Sequence, residues 1–309
     1  MHSVFTFLLF YLFTFFLNFA AAKIIKTSEM TTTNEHISAR PRLMMRLGRN
    51  RLDLVSLDPA NNERPIDYQP YSVNSGISMA ANLREALRTC EMLQYSYQRV
   101  IAMVDTQALM VPVDLYNEAQ KETLYQHAFP SSLNAQPSTL NAPIILDTVV
   151  PDLNCVALYP INRDLKQVID ERFTDVRYLC AGSPVWRYLY RRSFTGVRNK
   201  LYGYFHDQQL DILSYQQNRF KFYNSFSATH MQDTLYYLLY VWNQLNMKQE
   251  QDELHIVGDI PEREELMEQL RRYIKRAYVI NPSGDFNRSP ATQIQGLPYD
   301  MITMIVKGR

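Results

Sequence analysis

Two stretches of this chain, one opening near Arg42 and the other near Lys200, run through the same succession of strand, strand, strand, helix, strand. In the first, "RLMMRL", "RLDLVSLD" and "IDYQPYSV" read as a three-stranded meander, turning at Gly48 to Asn50 and again at a polar, proline-containing segment. A helix follows in "SMAANLREALRTCEMLQYS", where Leu83, Ala86, Leu87, Cys90 and Leu93 share a face that Arg84, Glu85, Arg88 and Glu91 avoid. "RVIAMVD" is then a continuous apolar run, as expected of a strand covered on both faces. In the second stretch the meander is "KLYGYFHD", "QLDILSYQ" and "RFKFYNSFS", the helix is "MQDTLYYLLYVWNQL" and the covered strand is "ELHIVGD". Elements recurring in one order with similar lengths predict an internal duplication, although no residue identity links the copies. The fold class expected is α/β, with two similar halves, each holding a mixed sheet built on a β-β-β-α-β core and flanked by helices.

Between the copies, "ALMVPVDLY", "NCVALYPI" and "RYLCAG" read as strands and "NRDLKQVIDERF" as a helix. Residues 131 to 143 read as a polar loop, and "RRSFTGVRN" marks a boundary, giving halves at 42–195 and 196–309. After the loop "SGDFNRSPATQIQG", the run "DMITMIV" reads as a last apolar strand. Residues 1–41 are expected to stand outside the fold. The first 22 are apolar, uncharged and end in small residues, but lack a basic leader. They read as a non-structural extension preceding a start at Met30 rather than Met1, as a cleaved signal, or as an anchor near the ~20 residues a span needs. The first reading implies a cytoplasmic protein and the others an exported or membrane-anchored one. In none is the folded part itself inserted in a membrane.

Composition narrows the chemistry. A net charge of +1 with 20% charged residues does not describe a strongly basic nucleic-acid binder. Cys90, Cys155 and Cys180 are far apart, so neither a zinc site nor a disulfide framework is expected. Nine glycines in 309 residues fall well below the ~7% usual in globular chains, leaving few loops able to wrap a phosphate.

The duplicated core resembles the actin-like ATPase (ribonuclease H-like) fold of the sugar kinase, Hsp70 and actin superfamily. More narrowly, "FKFYNSF", "QDTLYYLLYVWNQL" and "DELHIVGD" resemble a Bacteroidetes family of unknown function for which that fold is reported. The resemblance covers about residues 42 to 307 and carries no catalytic residues to transfer. In nucleotide-binding members, the first hairpin of each half meets phosphates and metal through an acidic residue, a glycine and a hydroxyl residue. Here the first hairpin, "LGRNRL", offers Gly48 followed by Arg49 and Asn50, and the second, "FHDQQL", offers Asp207 without a glycine.

"IVGDIPEREE" stands where that superfamily carries its adenosine-binding glycines. A strand, a glycine turn and a helix N-terminus can cradle an anion. Yet Asp259, Glu262, Glu264 and Glu265 oppose one, and the same residues suit a plain helix start, with Asp259 or its neighbour as cap and Pro261 in the first turn. Gly48, Gly258 and Asp207 are therefore the cofactor-binding candidates only if nucleotide binding survives, with ATP and Mg²⁺ the alternative to no cofactor. No catalytic or metal-ligating residue is assigned, and His127, His206, His230 and His255 read as isolated.

Two surfaces are candidates for a protein partner. On "DTLYYLLYVWNQL", Leu235, Leu238, Leu239, Trp242 and Leu245 form one stripe, while Tyr236, Tyr237, Tyr240 and Val241 lie on the other side. In "WRYLYRRSFTGVRNKLYGYF", Arg187, Arg191, Arg192, Arg198 and Lys200 interleave with aromatics, a pattern that can also hold single-stranded nucleic acid. The reading favoured is a non-catalytic actin-like protein acting as a binding or scaffold component. A divergent ATPase and an RNA-binding accessory protein are the alternatives.

Overall fold

Leu43 to Leu47 and Lys200 to His206 are buried at every position, and a strand covered on both faces belongs at the centre of a sheet. The computed structural model describes residues 41–61, 63–130, 143–216 and 219–308. Residues 1–40 and 131–142, on which an extension and a loop are expected, lie outside that set. Of the two units the chain forms, Asp58–Pro65 belongs to one and is closed by the Asp58 N–H donating to the Pro65 carbonyl at 3.1 Å. The other comprises Arg42–Leu57 and Ile66–Arg309.

In this larger unit β1 (Arg42–Leu47), β2 (Arg51–Leu57) and β3 (Ile66–Ser72) form the antiparallel meander. β4 (Arg99–Val104) runs parallel to β1, and β8 (Val176–Cys180) completes a sheet of order β3-β2-β1-β4-β8. The second sheet repeats that order and those directions with β11 (Arg219–Ser227), β10 (Gln209–Gln216), β9 (Lys200–His206), β12 (Glu253–Gly258) and β13 (Ala277–Val279). Between β4 and β8 the chain inserts an antiparallel three-stranded sheet of β5 (Leu109–Pro112), β7 (Cys155–Ile161) and β6 (Ile144–Val150).

The helices are α1 (Met79–Thr89), α2 (Lys121–Ala128), α3 (Arg163–Arg172), α4 (Ser183–Ser193), α5 (Met231–Gln244), α6 (Arg263–Tyr273), α7 (Pro282–Asp285) and α8 (Tyr299–Lys307). Side-chain caps begin three of them, Ser78 accepting from the Ala81 N–H, Asn162 from the Leu165 N–H and Asn281 from the Ser283 N–H. All three cysteines are buried free thiols.

Alternation along the second sheet divides its side chains between two layers. Leu201, Phe205, Leu210, Ile212, Leu254 and Ile256 pack against α5 and α6. Their neighbours Tyr202, Tyr204, Leu213, Tyr215 and Val257 join the core built by the first sheet. One continuous apolar core thus runs from β1 to β9, and the chemistry described below lies at its polar end.

Four local expectations are corrected. "DMITMIV" is helical, within α8, because Pro298 supplies the N-cap, the Asp300 carboxylate accepts from the Met301 N–H, and Met301, Ile302 and Thr303 turn into the core. Asp300, Thr303 and Lys307 recur at helical spacing, a period that the strand reading of this short run passed over. β6 is a strand the pattern did not expose, since Asp147 interrupts its apolar run; Lys121 compensates that carboxylate at 2.8 Å. On α5 the buried face is Met231, Thr234, Leu238, Val241 and Trp242, so Val241 lies on the inner side and Leu235 and Leu239 are half-buried. α6 starts at Arg263 behind Glu262, whose backbone is left-handed and whose side chain does not cap, so Pro261 precedes the helix.

Candidate functional site

Both first hairpins and the turn after β12 face a single cleft of about 270 Å³, lined by Asn50, Arg51, His206, Asp207, Gly258 and Asp259 among others. Asp207 and Gly258, far apart in sequence, both line it, and Gly48 lies beside it, where a Cβ would stand 3.3 Å from Asp207 Oδ2. Asp207 and Gln208 both have positive φ, 42° and 62°, which is the tight hairpin turn whose twist matches its flanking strands. From that turn the Asp207 carboxylate crosses to the other half, accepting from the Arg49 backbone N–H at 2.7 Å and from Asn50 Nδ2 at 3.2 Å. A Cβ on Gly48 would stand 2.8 Å from Arg46 Nη1 and 2.9 Å from the Arg51 carbonyl, so the hairpin closes only around glycine. Gly258, at φ 99°, brings its backbone so near β9 that a Cβ would lie 2.0 Å from the Phe205 carbonyl oxygen. The Asp259 N–H donates to that same oxygen at 3.0 Å.

Beneath the two hairpins lies a buried charge network that connects both halves. Arg46 of β1 is 3% exposed; its guanidinium reaches Asp105 after β4 at 2.5 Å, Asp300 of α8 at 2.7 Å and Asp53 of β2 at 3.8 Å. Asp53 also receives Arg51 at 2.7 Å and the Tyr68 hydroxyl at 2.7 Å. His206, at the end of β9, places Nδ1 3.0 Å from Asp105 and Nε2 3.4 Å from Asp211, off the line of ideal hydrogen bonds but within ion-pair distance. Trp186 Nε1 donates to Asp211 at 3.1 Å, and Tyr204 stacks on the imidazole at 4.6 Å between centroids.

Burial by itself pushes the Asp105 carboxyl up, but the charges and hydrogen bonds of His206 and Arg46 together hold it below the usual carboxylate range. Burial likewise opposes the imidazolium, and Asp105 and Asp211 outweigh it, so His206 titrates well above its ordinary value. Burial raises the Asp53 carboxyl, outweighing Tyr68, Arg51 and Arg46.

His206 is therefore not isolated; its partners come from loops and strands distant in sequence. The signal for this network was present: Arg46, Asp53 and Asp211 are charges inside strands otherwise made of core residues, and a buried charge needs a partner. Sequence spacing does not say which one. His255 is the milder case, 3.1 Å from Glu253, its pKa lowered by burial.

The partner candidates divide. Tyr236 and Tyr240 are 61% and 48% exposed and stack on one another, while Tyr237 is half-buried on Phe226. The basic stretch is largely tied inward. Arg187 and Arg191 share Asp152 at 2.9 and 3.1 Å, Arg192 binds Asp285 at 2.7 Å, and Arg198 binds Glu253 at 3.2 Å. Lys200 is buried, donating to the carbonyls of Ser193 and Thr195 at the end of α4. Among the described residues no group of His, Cys, Asp and Glu is arranged to hold a metal ion, and no helix is long and apolar enough to cross a membrane.

Comparison with known proteins agrees with this architecture. The chain is similar to a Bacteroides thetaiotaomicron protein with an actin-like ATPase fold and unknown function, at 27% identity over 83% of this chain and 98% of that one, with a TM-score of 0.70. More distantly, it is similar to a chain of the PilM–PilN type IV pilus biogenesis complex, at 11% identity over 85% and 96% of the two chains, with a TM-score of 0.49. No curated protein matches it. A family model describing proteins of unknown function, DUF3822, matches residues 30–277. With that match spanning most of the chain and the fold shared over 83% of it, this protein belongs to the DUF3822 family and has the actin-like ATPase fold.

Proposed function

We propose that this chain is a non-catalytic, actin-like binding or scaffold protein whose nucleotide cleft is closed from within. The observation that carries the reading is Arg46, a buried cation held by three carboxylates under the two hairpins. Phosphoryl transfer needs Mg²⁺ on oxygen ligands and free donors around the phosphates. The residues present do not fit that group. Asp105, Asp300 and Asp53 already face Arg46, and the Arg49 N–H, a donor a phosphate would need, is given to Asp207. Asp207 and Asp259 at the mouth of the cleft add negative charge that repels a polyanion. The matching order and directions of the two sheets further support descent from one duplicated half.

Titrating the protein with MgATP by calorimetry tests the reading. The expected result is no hydrolysis and no affinity tighter than about millimolar, roughly 4 kcal/mol of binding. A micromolar isotherm with turnover establishes a divergent ATPase instead.

A further inference from the structure

Away from the cleft, β6 is an edge strand of the inserted sheet and β8 an edge strand of the first five-stranded sheet. Both line a pocket of about 200 Å³ that α4 and the end of α8 complete. Its apolar part includes Leu179 and Val149, the latter 58% exposed. Its charged part is Arg177, Arg187, Arg191 and Lys307, with no Asp or Glu in the lining. Arg187 and Arg191 share one carboxylate, Asp152, which lies outside the lining, and Arg177 and Lys307 meet no carboxylate among the described residues. Four cations around a small apolar pocket, in a chain of net charge +1, are a local excess that attracts anions. Arginine forks half-occupied by one carboxylate retain donors for another.

We propose that this pocket binds an extended segment of a protein partner in which acidic side chains alternate with apolar ones. One sheet edge beside the pocket offers unpaired backbone donors and acceptors to an extended chain, the apolar part takes alternate side chains, and the four cations take the carboxylates between them. A pocket this small seats one or two side chains of a longer segment rather than a whole drug-sized ligand. The inference rests on the binding-protein reading above and names the chemistry of its partner.

The test is selection from a phage-displayed library of short random peptides against the full chain, with the R177E/K307E double variant as counter-target. Both side chains are exposed and in no ion pair, so the variant is expected to melt with the wild type; a shared thermal midpoint is checked first, and R177Q/K307Q replaces it if the midpoint drops. The expected outcome is enrichment of peptides with alternating acidic and apolar residues. The variant should bind them at least about tenfold more weakly, and their affinity should fall steeply with salt. No enrichment, or enriched peptides that the variant retains equally, overturns the proposal. Inorganic phosphate that displaces the selected peptides completely at matched ionic strength also overturns it, in favour of a small-anion pocket. MgATP titration of the same variant reads the separate cleft at Gly258, so tight nucleotide binding refutes the scaffold reading without altering the peptide result.

Discussion

Arg46 is the residue on which the proposed closure of the cleft depends. Replacing it with methionine keeps much of the volume but leaves Asp105 and Asp300 facing one another in the core. Breaking one side of a buried ion pair typically destabilises by about 3–5 kcal/mol, and urea unfolding of Arg46→Met is expected to show a loss of that size. A loss below about 1 kcal/mol would mean that the network carries little of the closure. Gly258 is the second such residue. Gly258→Ala places a methyl against the Phe205 carbonyl at a positive φ, and it is expected to destabilise by more than about 1 kcal/mol, with or without nucleotide. A variant at this position therefore reports on folding before it reports on any ligand.

At the scale of elements, α5 presents two kinds of aromatic. Trp242 is buried against the second sheet, while Tyr236 and Tyr240 stack on one another in solvent. Converting both tyrosines to serine is expected to change stability by no more than about 0.5 kcal/mol, because exposed positions without buried partners rarely matter more. Chemical denaturation checks this, and a loss of several kcal/mol would show that the tyrosines are core. The stretch from Arg187 to Lys200 shows the reverse relation between pattern and role. Its aromatic and basic residues alternate like a nucleic-acid platform, yet Arg192 and Arg198 are spent on Asp285 and Glu253, and Lys200 seals the carbonyl end of α4. Arg187 and Arg191, which share a single carboxylate, line the pocket proposed above for an acidic peptide.

For the molecule as a whole, His206 and Asp105 make the joining of the halves depend on pH, and their shifts have opposite signs. The raised His206 pKa contributes stability that is complete below about 6.5, its unfolded value, and is lost as pH rises through the folded value. The lowered Asp105 pKa contributes stability that is complete above about 3.9 and is lost as pH falls through its folded value. The stability gap between wild type and His206→Asn is therefore expected to be widest between about pH 4 and 6.5 and to narrow on the alkaline side. Denaturant melts from pH 4 through that range and on into alkaline pH measure the gap. A gap that stays constant as pH rises would show that His206 is not protonated between Asp105 and Asp211.

The sequence by itself determined the strand, strand, strand, helix, strand succession at the core of both sheets, because helical and strand periods are local properties of side-chain spacing; the three-residue β13 that completes the second sheet was not read. It also marked Asp207 and Gly258, which the fold brings into the lining of one cleft, and Gly48, which it sets beside Asp207. Reading failed on short elements: in α8 the helical spacing of Asp300, Thr303 and Lys307 was passed over for the apolar run between them, and β6 hides behind Asp147. Only the tertiary structure decided what joins the halves. Arg46 and Asp300 lie 254 residues apart, so nothing in their spacing predicts that one neutralises the other. A charge inside an apolar strand announces that a partner must exist, and the packing of the two halves supplies which one, because desolvation makes every unpaired alternative costlier.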